Sequence, residues 1–491
     1  MSPGERLQVL YADIDAINSA ISLMNWDRQV LMPAQGAEAR TAHVQRLTTM
    51  RHALWTGENL RQAVEALDRD GSDPATVRVL RREIENQSKL PLELVQEKAR
   101  VSSDAYEVWK TAKAENNFAA LQPYLAELFD IARSTAELLG YRDHVYDPLI
   151  DLFEQGARYE DARRMFETIK APIVRLVREI AEKGHTIDDA LLYHDWDQSR
   201  LRDFAEDVAR EIGFDFHRGR LNIAPNAFCT HLSVDDVRMT TRPSEHLKGI
   251  LSSTLHEMGH GLYEQGVSKS LERTPLAGGI SLAVHESQSR LWENIAGRSR
   301  GFWRFFYPRL EQAFPRVAPL GPNGFYAAYS KVEPSFIRVG ADELTYNLHI
   351  LVRFELEVEI LTRSLDTKDL PEAWNAKYSE YLGITPPSDT LGVLQDVHWS
   401  RGSVGYFPTY AMGNLIGGQI WAALQSDLGD AHRLMAHGEF APILDWLTEK
   451  VYRHGKTFEP RELVRAVTGS EMQADAWLAY TDEKYRDLYG L

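Results

Sequence analysis

Apolar residues near the N-terminus recur at the three- and four-residue spacing of an amphipathic helix. The first such series comprises Leu7, Leu10, Ile14, Ile17, Ile21 and Met24. The spacing continues to about residue 210, interrupted by glycines and turn signals, namely Gly140, Gly156, Gly184, Met32-Pro33 and Leu90-Pro91. The pattern therefore predicts a mostly α-helical protein.

The chain shows no obvious point of division. It has no repeat of fixed period, no low-complexity tract and no linker rich in proline, glycine or serine. We therefore predict a single domain over residues 1–491. Within it we expect a helical N-terminal lobe over about 1–210 and a catalytic region over about 211–491.

Residues 236–242 depart from the helical pattern. Two sets of side chains alternate there with the period of a β-strand, Val237, Met239 and Thr241 on one face and Arg238, Thr240 and Arg242 on the other. A short exposed strand at this point could pair with an extended peptide through backbone hydrogen bonds. An ordinary surface strand is the equally good alternative.

A helix is predicted directly after this strand. Ser244 is a suitable N-cap and Gly266 a suitable end. Its apolar face comprises Leu247, Ile250, Leu251, Leu255, Met258 and Leu262.

Composition and charge narrow the class of protein. Of the 491 residues 44% are hydrophobic, and the formal charge of −16 argues against nucleic acid or an anionic membrane as a partner. The single cysteine, Cys229, excludes an intrachain disulfide and is expected to be a small buried side chain. No apolar run approaches about 18 residues, and Glu5, Arg6 and Asp13 interrupt any signal-peptide core. We therefore expect a soluble cytoplasmic protein.

The predicted helix contains the sequence His256-Glu257-Met258-Gly259-His260, which has the form H-E-x-x-H. Histidines four residues apart lie on one helix face, where two imidazoles can bind one zinc ion. Glu257 then lies beside them, ready to take a proton from a water molecule that the metal activates. A chance match on a surface helix with two solvated histidines is the alternative.

A third ligand is expected on a second helix further along the chain. Glu286 lies 26 residues after His260, far enough for a loop and a returning helix. A carboxylate there would leave the fourth coordination position to water. By spacing alone Glu264, Glu272 and Glu293 compete with it.

Beyond these residues, the chain resembles the carboxypeptidase Taq family of zinc metallocarboxypeptidases, the group of the thermostable carboxypeptidase 1 type. Four blocks match in order, namely His256–His260 (HEMGH), His285–Gln288 (HESQ), Ile337–Asp342 (IRVGAD) and Gly392–Trp399 (GVLQDVHW). One block departs, because the family usually has His-Pro-Phe where this chain has Asn226-Ala227-Phe228. His231 also stands where a small residue is more usual.

The resemblance implies a large helical metallopeptidase fold with a deep active-site cleft and a small β-sheet near the zinc helix. It assigns His256, His260 and Glu286 as metal ligands and Glu257 as general base. It also implies a homodimer.

Recognition of a free C-terminal carboxylate requires a cation. The planar fork of arginine binds a carboxylate through two parallel hydrogen bonds. Arg338 is the best candidate. Asp342, four residues further on, either lines the substrate site or forms a structural salt bridge with Arg338. Arg238 and Arg242 are the fallback candidates.

The tetrahedral oxyanion of peptide hydrolysis needs hydrogen-bond donors besides the metal. His398 can supply one, and Tyr410, or less favourably Tyr406, another. Each tyrosine could instead be a core residue with its hydroxyl satisfied. Asp396 and Gln395 are expected to orient His398 or to line the substrate cleft. His285 either touches substrate or is structural.

The sequence therefore predicts a zinc metallocarboxypeptidase that acts on peptides with a free C-terminus. Cobalt or another divalent transition metal suits the same ligands. An oligopeptidase that cuts internal bonds is the nearest alternative. A catalytically idle binding protein on the same fold is the other.

Overall fold

Helices make up most of the molecule, as predicted. The computed structural model describes residues 2–194, 196–244 and 246–491. The helices before the sheet are α1 (Pro3–Val30), α2 (Ala37–Trp55), α3 (Glu58–Asp70), α4 (Pro74–Lys89), α5 (Leu92–Glu115), α6 (Phe118–Leu139), α7 (Asp147–Asp151), α8 (Tyr159–Lys183) and α9 (Gln198–Ile212).

The sheet and the remaining helices complete the described part of the chain. The strands are β1 (Gly219–Ile223), β2 (Phe228–Ser233) and β3 (Asp236–Thr241). The helices that follow are α10 (Leu247–Gly266), α11 (Leu282–Arg290), α12 (Arg300–Ala313), α13 (Gly321–Tyr329), α14 (Tyr346–Leu361), α15 (Leu370–Leu382), α16 (Pro408–Leu428), α17 (Ala431–Ala436), α18 (Ala441–Lys450), α19 (Pro460–Thr468) and α20 (Asp475–Tyr489). In the described residues, no helix is both long and apolar enough to cross a bilayer.

The N-terminal helices begin and end where the sequence indicates. Helix α1 starts with a capping box, in which the Ser2 hydroxyl accepts from the backbone N–H of Glu5 and the Glu5 carboxylate accepts from that of Ser2. Gly140 and Gly184 follow the last turns of α6 and α8, because a helix that ends at glycine loses little by leaving the helical conformation.

Two apolar clusters hold these elements together. A small one joins α1 to α3 and α4, and its members include Leu7, Ile14, Leu67 and Leu80. A large one runs from α5 to α20 and crosses the predicted lobe boundary near residue 210 without interruption. The division into lobes and the single domain remain predictions.

The sheet corrects the expectation of an exposed strand. Strand β3 was correctly predicted, but it is the central strand, parallel to β1 and antiparallel to β2. Both of its edges are therefore already paired, so it cannot receive a peptide as an added strand. Side-chain alternation reports which faces are covered and carries no information on edges.

Helix α10 begins later than predicted. Its first residue is Leu247, and His246 rather than Ser244 occupies the capping position. Ser244 is held elsewhere, because its backbone N–H and carbonyl both hydrogen-bond the side-chain amide of Gln198. The helix ends at Gly266, as expected.

Candidate active site

Three helices meet at unusually close range around the H-E-x-x-H motif. Helix α11 lies between α10 and α16, which face it with Gly259 and Gly413. A Cβ atom at Gly259 would lie 2.5 Å from the carbonyl oxygen of Gln288, and one at Gly413 would lie 2.7 Å from Cβ and Cγ of Glu286. Only glycine permits this approach, which brings α11 onto the face of α10 that carries the two histidines.

Three ligand atoms converge at this contact. Nε2 of His256 and Nε2 of His260 each lie 3.5 Å from Oε2 of Glu286, and the three side chains form a group that could hold a metal ion. The two imidazoles are 19% and 17% exposed, so the group is open on one side. Two nitrogens and one carboxylate oxygen with an open position fit a catalytic divalent transition metal.

Glu293, one of the competing carboxylates, is a partner of a ligand. Its Oε2 atom lies 2.9 Å from Nδ1 of His256. Arg290 holds both carboxylates, with Nε 2.7 Å from Glu286 and Nη1 3.0 Å from Glu293. Because Nδ1 of His256 is engaged by a carboxylate, it carries the proton when the imidazole is neutral, and Nε2 is left bare for a metal.

A longer chain of hydrogen bonds orients His260. Its Nδ1 lies 2.6 Å from Nδ1 of His285, whose Nε2 lies 2.7 Å from Oε1 of Glu264. A carboxylate only accepts, so neutral His285 donates from Nε2 and accepts at Nδ1. His260 must then donate from Nδ1, which leaves its Nε2 free for a metal. His231 reaches the same Glu264 oxygen with Nδ1 at 3.2 Å.

Burial and neighbouring charges shift the pKa values of the two histidines in opposite directions. Burial lowers the pKa of His260 to about 4. Burial would lower that of His256 too, but the nearby carboxylates, Glu286 foremost, raise its pKa to about 9. A metal ligand must be deprotonated, so a metal ion bound here would displace the proton that these carboxylates favour on His256.

Glu257 is buried beside the two histidines but unpaired. Within the described part of the chain, no donor hydrogen-bonds its carboxylate. Burial raises its pKa to about 7, against the attraction of His256. A carboxylate with a pKa near neutrality and no protein partner can exchange protons with a water molecule.

Arg338 takes part in a buried cluster of two cations and one anion. Its Nε and Nη2 lie 3.0 and 2.8 Å from Oδ1 of Asp396, and its Nη1 donates to the Tyr346 hydroxyl at 2.9 Å. Arg353 binds the other oxygen of Asp396 through Nε at 2.8 Å and Nη2 at 2.7 Å. One carboxylate thus serves two guanidinium groups, and the cluster retains one uncompensated positive charge.

Asp342 has a different role from the one expected. Its Oδ1 accepts from the backbone N–H groups of Leu344 and Thr345, each at 2.9 Å. It therefore holds the turn before α14 and does not pair with Arg338, whose partner is Asp396. A four-residue spacing favours an ion pair only within an α-helix, whereas Arg338–Gly340 form a short 3-10 turn that ends before Asp342.

Gln395 holds the backbone on which Arg338 sits. Its Oε1 accepts from the Arg338 backbone N–H at 2.8 Å, and its Nε2 donates to the Phe336 carbonyl at 2.9 Å. Both ends of the side-chain amide are therefore used within the protein, so Gln395 positions Arg338 rather than lining the cleft with a free amide.

Arg238 is engaged away from this cluster. Nε and Nη2 bind the two oxygens of Asp236, each at 2.8 Å, and the guanidinium lies 4.5 Å from the ring centre of Trp26 in α1. The pair is electrically neutral and ties α1 to the sheet. This gives Arg238 a structural role in place of the predicted fallback role.

His398 and Tyr410 lie next to Arg338. Nε2 of His398 is 3.2 Å from the Tyr410 hydroxyl, and the Arg338 guanidinium is 5.1 Å from the Tyr410 ring centre. Burial, reinforced by Arg338, lowers the pKa of His398 to about 3, so the imidazole is neutral at physiological pH. Tyr406 packs its ring edge-on against Tyr410 at 5.2 Å.

Glu357, which sequence reasoning missed, fixes the loop between His398 and Tyr406. Its Oε1 accepts from Trp399 Nε1 at 2.8 Å, and its Oε2 accepts from the Tyr146 hydroxyl at 2.6 Å and the Gly405 N–H at 3.1 Å. Burial raises its pKa to about 7 although three donors stabilise the charged form. Nothing in its local sequence distinguishes it from the other acidic residues of α14.

Comparison with known proteins agrees with this geometry. Residues 6–485 match the family model described as carboxypeptidase Taq (M32) metallopeptidase. The chain is 35% identical over 483 residues to carboxypeptidase 1 of Bacillus subtilis, covering 97% of this chain and 96% of that one. It is 38% identical over 488 residues to thermostable carboxypeptidase 1 of Thermus thermophilus, covering 96% and 95%. The structure of Pyrococcus furiosus carboxypeptidase superposes with a TM-score of 0.95 at 36% identity, covering 99% of each chain.

The chain belongs to the M32 metallopeptidase family. It is therefore a hydrolase and a metal-dependent carboxypeptidase, and the fold predicted from the resemblance is confirmed. The group of His256, His260 and Glu286 could hold the metal ion on which this activity depends.

The close contact at Gly413 of this M32 metallopeptidase predicts a metal-binding defect. In Gly413→Ala the new methyl group would lie 2.7 Å from the Glu286 side chain, so α11 or α16 must shift and move the third ligand. We expect metal affinity to fall roughly tenfold or more, as for loss of an outer-sphere partner. Titration against a chelating indicator dye measures it. Gly324→Ala in α13 is the control, since its methyl group meets only Leu320 at 3.5 Å. Equal affinities for the two variants would contradict the role of Gly413.

The contacts of Glu357 predict a loss of activity without loss of metal. In Glu357→Gln the amide NH₂ must face the N–H of either Trp399 or Gly405, so one buried donor stays unsatisfied whichever way the amide turns. We expect kcat/KM on a peptide to fall roughly tenfold, the cost of one unsatisfied buried group. Tyr146→Phe, which removes a donor and adds no clash, is expected to do less harm. An equal loss of metal affinity and activity would show that the effect is not confined to the loop.

Proposed function

We propose that this metallocarboxypeptidase uses zinc and removes C-terminal residues one at a time from peptides. The observation that carries the proposal is the excess positive charge of the Arg338, Arg353 and Asp396 cluster, next to His398 and Tyr410. A buried unbalanced cation favours an anionic ligand, and a substrate C-terminus supplies one. Two histidines and one carboxylate are a common ligand set for catalytic zinc, although cobalt also suits them.

A divalent cation held by His256, His260 and Glu286 would supply Lewis-acid chemistry, polarising the scissile carbonyl and acidifying a water molecule. Glu257 accepts the proton of that water and passes it to the leaving nitrogen. Neutral His398 and the Tyr410 hydroxyl donate hydrogen bonds to the oxygen on which negative charge develops. Tyr406 is the second candidate for this donation.

Anchoring of the substrate falls to Arg338. Its fork is paired with Asp396, but Arg353 shares that carboxylate, so Arg338 can turn part of its fork to a substrate without leaving Asp396 unpaired. Fixing the terminal carboxylate there places only the last peptide bond at the metal, and one residue leaves in each cycle.

The proposal extends to the cellular setting and the partners of the protein. A cytoplasmic location is supported by the single cysteine, which forms no intrachain disulfide. The charge of −16 supports peptides rather than nucleic acid as partners. The homodimer follows from the family resemblance alone.

A mass-spectrometric time course on one peptide tests the proposal. We expect the free-acid form to lose single C-terminal residues in a ladder and the C-terminal amide to stay intact. A chelator should abolish the ladder and added zinc restore it. Glu257→Gln should retain the metal and lose the ladder, since an amide cannot accept the proton. Internal fragments from both forms would support the oligopeptidase instead. Ladder formation by Glu257→Gln at an undiminished rate would remove Glu257 as the base.

Substitution of Arg338 tests the anchor. Arg338→Lys keeps the charge and loses the planar fork, so we expect KM for free-acid peptides to rise roughly tenfold or more, the value of a charge-assisted hydrogen bond. Any slow turnover of the C-terminal amide should change much less. Arg238→Lys, which also breaks a bidentate pair with an aspartate, is the matched control and should leave the KM for free-acid peptides unchanged. A rise in KM for Arg238→Lys alone would move the anchor to Arg238.

A further inference from the structure

A second feature lies beside the metal centre, between the N-terminal helices and the body of the molecule. It is a cavity of about 640 Å³ lined by α1, α2 and α4 on one side and by residues just before α11 on the other. Two lining residues connect it to the site. Ser281 caps α11 five residues before Glu286, about 7.5 Å along the helix axis, and the Phe153 ring lies 5.1 Å from that of Tyr406.

The lining is cationic, in contrast to the molecule as a whole. Four of the lining side chains are cations, Arg51, Arg78, Arg82 and Lys456, and one is a carboxylate, Glu83. The chain as a whole carries a charge of −16. A concave, partly desolvated surface of one sign concentrates the field and attracts groups of the opposite sign.

Part of this positive charge is not neutralised within the protein. Arg82 pairs with Asp151 at 2.6 Å. Arg78 donates to the backbone carbonyls of residues 456–458, and Arg51 donates to the side-chain carbonyl of Asn18, all of which are neutral. Within the described residues, Lys456 has no ion-pair partner within 4.0 Å, and burial lowers the pKa of its ammonium group. Among the described residues, Arg51, Arg78 and Lys456 therefore form no ion pair with a carboxylate, and the one lining carboxylate, Glu83, offsets only part of their charge.

We propose that this cavity binds the part of the peptide upstream of the scissile bond and selects acidic side chains there. The inference rests on the proposed function, in which the C-terminal carboxylate lies at Arg338 and the rest of the peptide leads away from it. An extended chain advances about 3.3 Å per residue, so the second to fourth residues before the scissile bond come within reach of the cavity. Glutamate or aspartate at those positions supplies the missing counter-charge to Lys456 and Arg51.

Three matched series of peptides test the selection. All share one C-terminal residue and carry Glu, Gln or Lys at the second, third or fourth position before the scissile bond. For at least one position we expect kcat/KM to be about fivefold higher for Glu than for Gln, and lower still for Lys, as for a partly exposed ion pair. The preference should shrink as salt rises from 0.05 to 0.5 M, values chosen to span strong and weak screening. Equal kcat/KM for the three residues at every position would overturn the proposal.

Two variants and a control assign the preference to the cavity. Lys456→Met should reduce the ratio of Glu to Lys peptides, and Lys456→Glu should reverse it. Lys450→Met, an exposed lysine at the end of α18, is the control and should leave the ratio unchanged. An unchanged ratio in both Lys456 variants would also overturn the proposal.

A short substrate separates this proposal from the proposed function. An N-acetylated dipeptide with the same C-terminal residue carries no side chain beyond the residue before the scissile bond, so all Lys456 variants should cleave it at the rate of the unaltered protein. If the dipeptide is cleaved but the long peptides show no charge preference, only the proposal for the cavity is rejected. If the dipeptide and the long peptides are all left intact, the proposed function fails. Binding of the Glu and Lys peptides to metal-loaded Glu257→Gln protein then decides the cavity separately, and equal affinities would overturn it.

Discussion

The close approach of α11 to both α10 and α16 is the constraint on which the active site depends. Two ligands come from one helix and need only a four-residue spacing, but the third comes from a different helix and needs an interhelical distance. Gly259 and Gly413 set that distance, because any side chain at either position would meet the backbone or the ligand of α11. The metal centre is therefore a consequence of helix packing more than of the motif itself.

Around that contact, buried carboxylates are shared rather than paired one to one. Asp396 serves two arginines, Glu293 serves His256 and Arg290, and Glu264 serves two histidines. Sharing lets one buried carboxylate satisfy two buried donors, and a low-dielectric interior requires such donors to be satisfied. It also fixes the orientation of several functional side chains through one group, and it leaves the Arg338 cluster with the positive charge that a substrate anion can use.

Local patterns predicted what local forces decide. The three- and four-residue spacing located the helices, the two-residue alternation located β3, and Gly266 marked the end of α10. They failed where the outcome depends on distant partners. Spacing could not separate Glu286 from Glu264 and Glu293, since all three lie near the site. Glu293 contacts His256 directly, and Glu264 reaches His260 through His285. The central position of β3 was equally hidden, because the strands that cover its edges have weaker patterns than β3 itself.

The departure from the family pattern at Asn226-Ala227, just before β2, has a structural explanation. The contacts of that segment are made by its backbone, since the Thr240 hydroxyl binds the carbonyl of Asn226 and accepts from the N–H of Phe228. The fold therefore tolerates a change of side chain at Asn226, in agreement with a TM-score of 0.95 to a family structure. His231 belongs to the same strand and binds Glu264, the carboxylate that holds His285 against His260. Strand β2 thus contacts the surroundings of the metal centre through His231. The distance between His231 and Glu264 along the sequence does not predict this contact.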